Sequence, residues 1–131
     1  MQTPIPELQG RYSGRKTTDE GFATAHFAGN VHAFSYGRFL QRRQFTDGTA
    51  NTLLVGETRF RHKAWGDPTN LRDPTLGINQ SPNGFGSHST RGVLFSMADG
   101  SVHDLSEKID PVVLQALSTP TGAEVVPDHS W

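Results

Sequence analysis

Cysteine is absent from the 131 residues. Its absence excludes disulfides, thiolate metal sites and cysteine nucleophiles, but leaves the compartment open, because exported proteins also do without it. Long apolar runs are missing too. None approaches the roughly 18 residues that a membrane span requires, and Met1 opens onto a polar, proline-bearing segment without the pattern of a signal peptide. The chain as written reads as soluble. Apolar residues make up only 34% of it, whereas glycine (14) and proline (8) are plentiful. That balance points to a loop-rich domain of short strands and away from a helical bundle. The length suits one domain with a real core, without disulfides or a structural metal.

Charge of either sign is nearly balanced, at a formal net of -1, but unevenly placed. Met1 to Trp65 carries nine Lys plus Arg against five Asp plus Glu, and Gly66 to Trp131 carries three against eight. Such asymmetry fits an acidic partner, an acidic polysaccharide or head-to-tail self-association; two halves of one fold neutralising each other is the plainer account. No nucleic-acid partner is expected.

The clearest structural signal is GFGSHSTRGVLFSMADGSVHDL, from Gly84 to Leu105. Asp99-Gly100 between alternating apolar residues predicts a hairpin with a two-residue type I′ turn. Such a turn puts Val93, Phe95, Met97 and Val102 on one side, and Leu94, Ser96, Ala98, His103 and Leu105 on the other.

Residues 1–20, with Pro4 and Pro6 and then a polar stretch, predict an extended or mobile arm with Ile5 and Leu8 anchored on the body. Residues 21–131 form the single globular domain. Phe22 to Tyr36 reads as two short strands meeting at Gly29-Asn30, flanked by His26 and His32. Two histidines near a turn invite thought of a metal, but no third ligand has a recognisable spacing, and no metal site is assigned.

Arg38, Arg42 and Arg43 form a basic cluster in the next segment. Thr46-Asp47-Gly48-Thr49 then reads as a turn in which Asp47 accepts from amides ahead of it and Gly48 takes a left-handed conformation. Thr52 to Arg61 predicts a strand with Leu54, Thr58 and Phe60 on one side and Val55, Glu57, Arg59 and Arg61 on the other. Arg42, Arg43, Arg59, Arg61 and Lys63, with Trp65 as a stacking surface, make a candidate patch for carbohydrate or another anionic polymer. A solvated basic edge that discourages aggregation explains the same residues.

Trp65 to Asn83 reads as a long irregular loop of the kind that is uncommon unless it binds something or packs as a unit. Asp67, Asn70, Asp73 and Asn79 are hard-oxygen residues of the sort calcium prefers. Their spacing departs from the EF-hand loop, and Asx residues before proline are ordinary turn formers, so no cofactor is assigned. Ser106 to Gly122 contains the one convincing helix, with Asp110 as N-cap, Pro111 at the first helical position and an apolar face of Val112, Val113, Leu114, Ala116 and Leu117. Ala123 to Val126 reads as a last strand and Pro127 to Trp131 as a tail. The fold class is α+β, mainly β: an antiparallel sheet with long loops and one short C-terminal helix.

The succession Phe27-Ala-Gly-Asn30, Phe45-Thr-Asp-Gly-Thr-Ala-Asn-Thr-Leu-Leu-Val-Gly-Glu57, Phe85-Gly-Ser-His88, Phe95-Ser-Met-Ala-Asp-Gly-Ser-Val102, Ile109-Asp110 and Gly122-Ala-Glu-Val-Val126 resembles the planctomycete domain-of-unknown-function family 1559. The C-terminal portion of that family carries the label "prepilin-type processing-associated H-X9-DG". Here ten residues, Ser89 to Ala98, separate His88 from Asp99. The resemblance implies a pseudopilin-like body in the cell envelope or outside the cell, with no established reaction. Family members carry an N-terminal prepilin helix that contacts the membrane, and nothing of that kind precedes Met1 in this sequence. Protein partners or self-association are expected, to cover a sheet face that such a helix would otherwise cover.

No enzyme is expected. A hydrolase would have to be built on His88 with Asp99 or Asp47, but each of those carboxylates sits in an Asp-Gly turn that already explains it, and Ser87 is no nucleophile elbow. His88 is expected to anchor the loop ahead of the hairpin, donating to a backbone carbonyl or to Asp47.

Overall fold

The computed structural model describes residues 2–10, 15–35 and 40–122. Arg38, the strand expected at Ala123 to Val126 and the tail beyond it lie outside these residues.

The Asp-Gly hairpin is present and central. Its arms are β6 (Val93–Met97) and β7 (Val102–Leu105), paired Val93 to Leu105, Leu94 to Asp104, Phe95 to His103 and Ser96 to Val102. The turn, however, has three residues. The Gly100 amide donates to the Met97 carbonyl (3.0 Å) and the Met97 amide to the Ser101 carbonyl (2.8 Å), with Gly100 at φ +87°. This is a type I turn closed by a left-handed glycine, in which positive φ is needed at Gly100 alone and not at Asp99 as well. The extra residue shifts β7 by one position, which turns every side chain of that strand to the opposite face. Leu105, expected opposite to Phe95, is wholly buried beside it, and Val102, expected in line with Phe95, is 62% exposed. Asp99 holds the turn by accepting from the Ser101 amide (2.8 Å) and hydroxyl (2.6 Å).

Three further strands complete a five-stranded sheet of order β5-β2-β3-β6-β7. They are β2 (Phe27–Asn30), β3 (Leu53–Glu57) and β5 (Leu71–Arg72). All pairs are antiparallel except β2 with β5. Two short strands, β1 (Thr24–Ala25) and β4 (Lys63–Ala64), pair separately. Gly29 and Asn30 lie inside β2, so the tight turn expected there is not made; the chain turns just afterwards, where the Ala33 and Phe34 amides donate to the Asn30 carbonyl. β3 is shorter than the strand expected over Thr52 to Arg61. It ends at Glu57 and carries a bulge at Leu54, since Leu53 pairs with Met97 and Val55 with Ser96. The bulge and the left-handed Arg61 (φ 54°) break the simple alternation assigned to that stretch.

The stretch from Trp65 to Asn83, read as irregular, contains β5 and a 3-10 turn at Pro74–Leu76. Its Asx residues are engaged in turns of their own and in bonds to the sheet. Asp67 accepts from the Thr69 amide and hydroxyl, Asp73 caps the 3-10 turn through the Thr75 amide (2.9 Å), and the Asn70 side chain donates to the Phe27 carbonyl.

α1 (Pro111–Ser118) starts where expected, with the Asp110 carboxylate accepting from the Val112 amide (2.8 Å). Leu114, Ala116 and Leu117 are buried, while Val112 projects into solvent at 74% exposure. α1, Ile78 and Phe85 cover the sheet face that carries Leu53, Phe95, Met97 and Leu105, with Phe85 and Phe95 edge to face at 4.9 Å. Parts of the N-terminal segment dock on this body. The Leu8 carbonyl accepts from the His26 amide (2.7 Å), and the Trp65 indole donates to the Thr3 carbonyl (3.1 Å).

Candidate functional site

Two hollows flank the loop from Ser87 to Gly92, at the open end of the β6–β7 hairpin. The loop is built from its own hydroxyls: Ser87 Oγ accepts from the Ser89 amide and Ser89 Oγ from the Arg91 amide, both at 3.2 Å. Asn79, left-handed at φ 59°, pins the entry to the loop by accepting from the Ser87 amide (2.9 Å) and reaches Glu107 Oε2 with its Nδ2 (3.3 Å). On one side lies a hollow of about 480 Å³ whose charged residues are Arg59, Arg91, Lys108 and Glu107. On the other, a shallower space of about 610 Å³ meets Glu57, Arg91 and Asp104. The first is therefore cationic and the second acidic. Glu57 already accepts from the Leu94 amide (3.0 Å).

His88 is exposed and borders both hollows. Among the described residues His88 makes no hydrogen bond to a backbone carbonyl or to Asp47 of the kind expected of an anchor. The Asp47 carboxylate instead accepts from the Gly122 amide (3.0 Å) and lies beside the end of α1, where the Asp47 amide meets the Pro120 carbonyl. Gly48, at φ +88°, does take the left-handed conformation. Asp99, in its turn with Gly100, borders a separate hollow of about 350 Å³ with Arg42 and Phe45 at the other end of the hairpin. Its carboxyl is held below the usual carboxylate range by the Ser101 hydroxyl and amide. His88, Asp99 and Asp47 thus do not converge.

The cations expected to form one patch are likewise divided. Arg42 and Arg43, both exposed on a 3-10 turn, belong to the turn end of the hairpin, whereas Arg59 belongs to its open end. Arg61 donates to Asn83 Oδ1 (2.8 Å) and Lys63 Nζ to the Thr69 carbonyl and hydroxyl (2.7 Å each). Trp65 is 37% exposed, with its indole N–H committed to Thr3.

A second cluster lies behind β4. His26 is buried, with Nδ1 accepting from the Gly10 amide (2.7 Å) and Nε2 donating to the Arg15 carbonyl (2.8 Å). The His62 ring lies 4.4 Å from it and donates to the Thr58 carbonyl. Burial holds the His62 pKa below its ordinary value, the Thr58 hydrogen bond opposes that, and neighbouring His26, Arg72 and His88 lower it further. Arg72, 5% exposed, donates to the Leu71 and Arg61 carbonyls, and burial lowers its pKa as well. His32 pairs instead with Asp73 (2.9 Å). Among the described residues, no three His, Asp or Glu side chains gather as metal ligands would.

Residues 61–112 match the model of a family described as a protein of unknown function (DUF1559). The match starts just ahead of β4 and runs through β5, the loop, the hairpin and the start of α1, so it takes in the His88 loop and most of both hollows. No curated protein and no solved structure matches the chain. Among the described residues, no helix is long and apolar enough to cross a membrane.

Arg91 and Lys108 were not singled out by the sequence. They stand far apart in it, and each is an isolated cation. The available signal was the hydroxyl-rich run Ser87 to Thr90 ending in Arg91, just ahead of the strongest hairpin pattern in the chain.

Proposed function

We propose that the chain is a non-enzymatic interaction module of a pilus-like or cell-surface assembly, engaging protein partners, further copies of itself first among them, through the outer face of its sheet. What carries this reading is a cross-strand row without a single charge: Leu71 beside Gly29, Gly29 beside Val55, Val55 beside Ser96, Ser96 beside Val102. The row lies on the face opposite the core. Phe34, which lies against Gly29, and Leu94 in the neighbouring row are each 40% exposed, and Val102 is 62% exposed. The neighbouring row on this face carries Glu57 and Asp104, so the uncharged row forms a strip bordered by carboxylates, and covering that apolar strip gains free energy. Burying a valine or leucine fully contributes about 1.5–3 kcal/mol, so covering most of the row is needed before association outweighs its entropic cost. The match to the DUF1559 family over residues 61–112 and the pseudopilin resemblance support the setting.

Sedimentation equilibrium of the whole chain tests the reading. Mass should rise with concentration, and Val102→Lys, on an exposed position where folding is unaffected, should weaken association at least about tenfold. A strict monomer at high concentration that also captures no surface protein would overturn it.

A further inference from the structure

We propose that the cationic hollow between the Ser87 to Gly92 loop and the end of β7 binds a phosphate group. This site is separate from the sheet face and independent of its role. Three cations from three separate segments border the hollow, namely Arg59 beyond β3, Arg91 in the loop and Lys108 beyond β7, against one carboxylate, Glu107. Among the described residues the ion pairs within 4.0 Å are Arg15 with Asp19 and His32 with Asp73, so none of the three has a carboxylate partner. Gathering like charges without neutralising them costs stability, and a bound anion reverses that cost. Arg59 makes the point most sharply. Its Nε is shut off from solvent with no hydrogen-bond partner among the described residues, while its guanidinium lies 5.2 Å over the Phe60 ring.

The hydroxyls complete the site. Ser87, Ser89 and Ser106 each use an oxygen lone pair to accept from a backbone amide two residues on, which leaves each O–H proton free to be given to an acceptor. A ligand met by guanidinium forks, an ammonium and serine hydroxyls is an acceptor-only oxyanion, and a net surplus of two positive charges matches the phosphate dianion. The carboxylates of the adjoining acidic hollow direct the anion to this side of the loop. At about 480 Å³ the space is in the range of small-molecule sites, so it accommodates free phosphate or a sugar-sized monoester.

The test is calorimetric titration of the full chain with inorganic phosphate, glucose 6-phosphate and glucose. Phosphate or its ester should bind and glucose should not. The relative affinity of the first two tells whether the hollow reads the free ion or an ester, and either outcome supports the site. Arg91→Gln and Lys108→Gln, both at exposed positions, should each weaken binding about tenfold, whereas Arg42→Gln at the far end of the hairpin should leave it unchanged. Circular dichroism of the variants separates lost binding from lost folding. Absence of phosphate binding, equal binding of glucose, or binding unchanged in the folded Arg91→Gln, Lys108→Gln double variant would overturn the proposal.

Discussion

The side-chain amide of Asn30 donates to the main-chain carbonyl of Ser118 at 2.7 Å, across 88 positions of sequence. The same nitrogen donates to the Leu53 carbonyl (2.8 Å) at the β3 bulge, and Asn30 Oδ1 accepts from the His32 amide (2.9 Å). Asn30 is wholly buried. One side chain thus ties the middle of the sheet to the end of α1 and satisfies carbonyls that neither the ladder nor the helix provides for. Replacing it with Leu keeps the volume near and removes all three bonds, leaving two buried carbonyls and one amide without partners. Each such orphan costs about 1–3 kcal/mol. Asn30→Leu should therefore lower the unfolding free energy by about 3 kcal/mol or more, read from the urea midpoint; a loss below about 1 kcal/mol would show that water reaches these groups and the clamp is redundant.

Two glycines should respond to alanine for different reasons. At Gly56 a Cβ would stand 2.4 Å from Phe95 Cε1 and 2.8 Å from Phe85 Cδ1, in the middle of the packed aromatic pair. The rings have no free space to move into, so Gly56→Ala should cost about 1–3 kcal/mol, toward the upper end, through overpacking. At Gly100 nothing lies within 4 Å of the added carbon, and only the φ of +87° opposes it. Gly100→Ala should cost about 1 kcal/mol from backbone strain alone. Thermal unfolding of the two variants side by side checks the order, and a larger loss at Gly100 would contradict it.

What could be read from the sequence was what neighbours in the chain decide. Asp110 and Pro111 start α1 because a cap acts on an amide two residues away, and the hairpin exists because Asp99-Gly100 interrupts two strand-like runs. The length of its turn was not legible, since the same dipeptide serves a two-residue turn and a three-residue turn with a left-handed glycine. Including or excluding Ala98 decides whether Leu105 or Val102 enters the core. Asn30 was read as a turn residue because its partners, Leu53 and Ser118, are remote. The candidate site shows the same division. The His88 loop stood out locally, but that Arg59, Arg91 and Lys108 meet around it depends on how β3, the loop and β7 are brought together.

Stability should fall in two stages as pH is lowered. His62 is half-buried, and desolvation holds its pKa below the ordinary 6.5, with His26, Arg72 and His88 adding to the effect against the Thr58 hydrogen bond. In the unfolded chain the imidazole titrates near about 6.5. The unfolded state therefore takes up a proton before the folded state does. The contribution of neutral His62 is whole above about pH 6.5 and declines below it, levelling once pH passes the lowered folded value. Asp67, held low by the hydroxyl and amide of Thr69, and Asp73, whose burial raises its pKa but is outweighed by the combined hydrogen bonds of Thr75 and His32, follow the same sign in a lower window. Their contributions are whole above about pH 4 and are lost below it. His62→Gln keeps a donor for the Thr58 carbonyl and removes the titration. Urea midpoints between pH 7.5 and 5 should fall less steeply in that variant than in the parent chain, with the loss below pH 4 unchanged. Parallel curves across the upper window would show that His62 is not the group responsible.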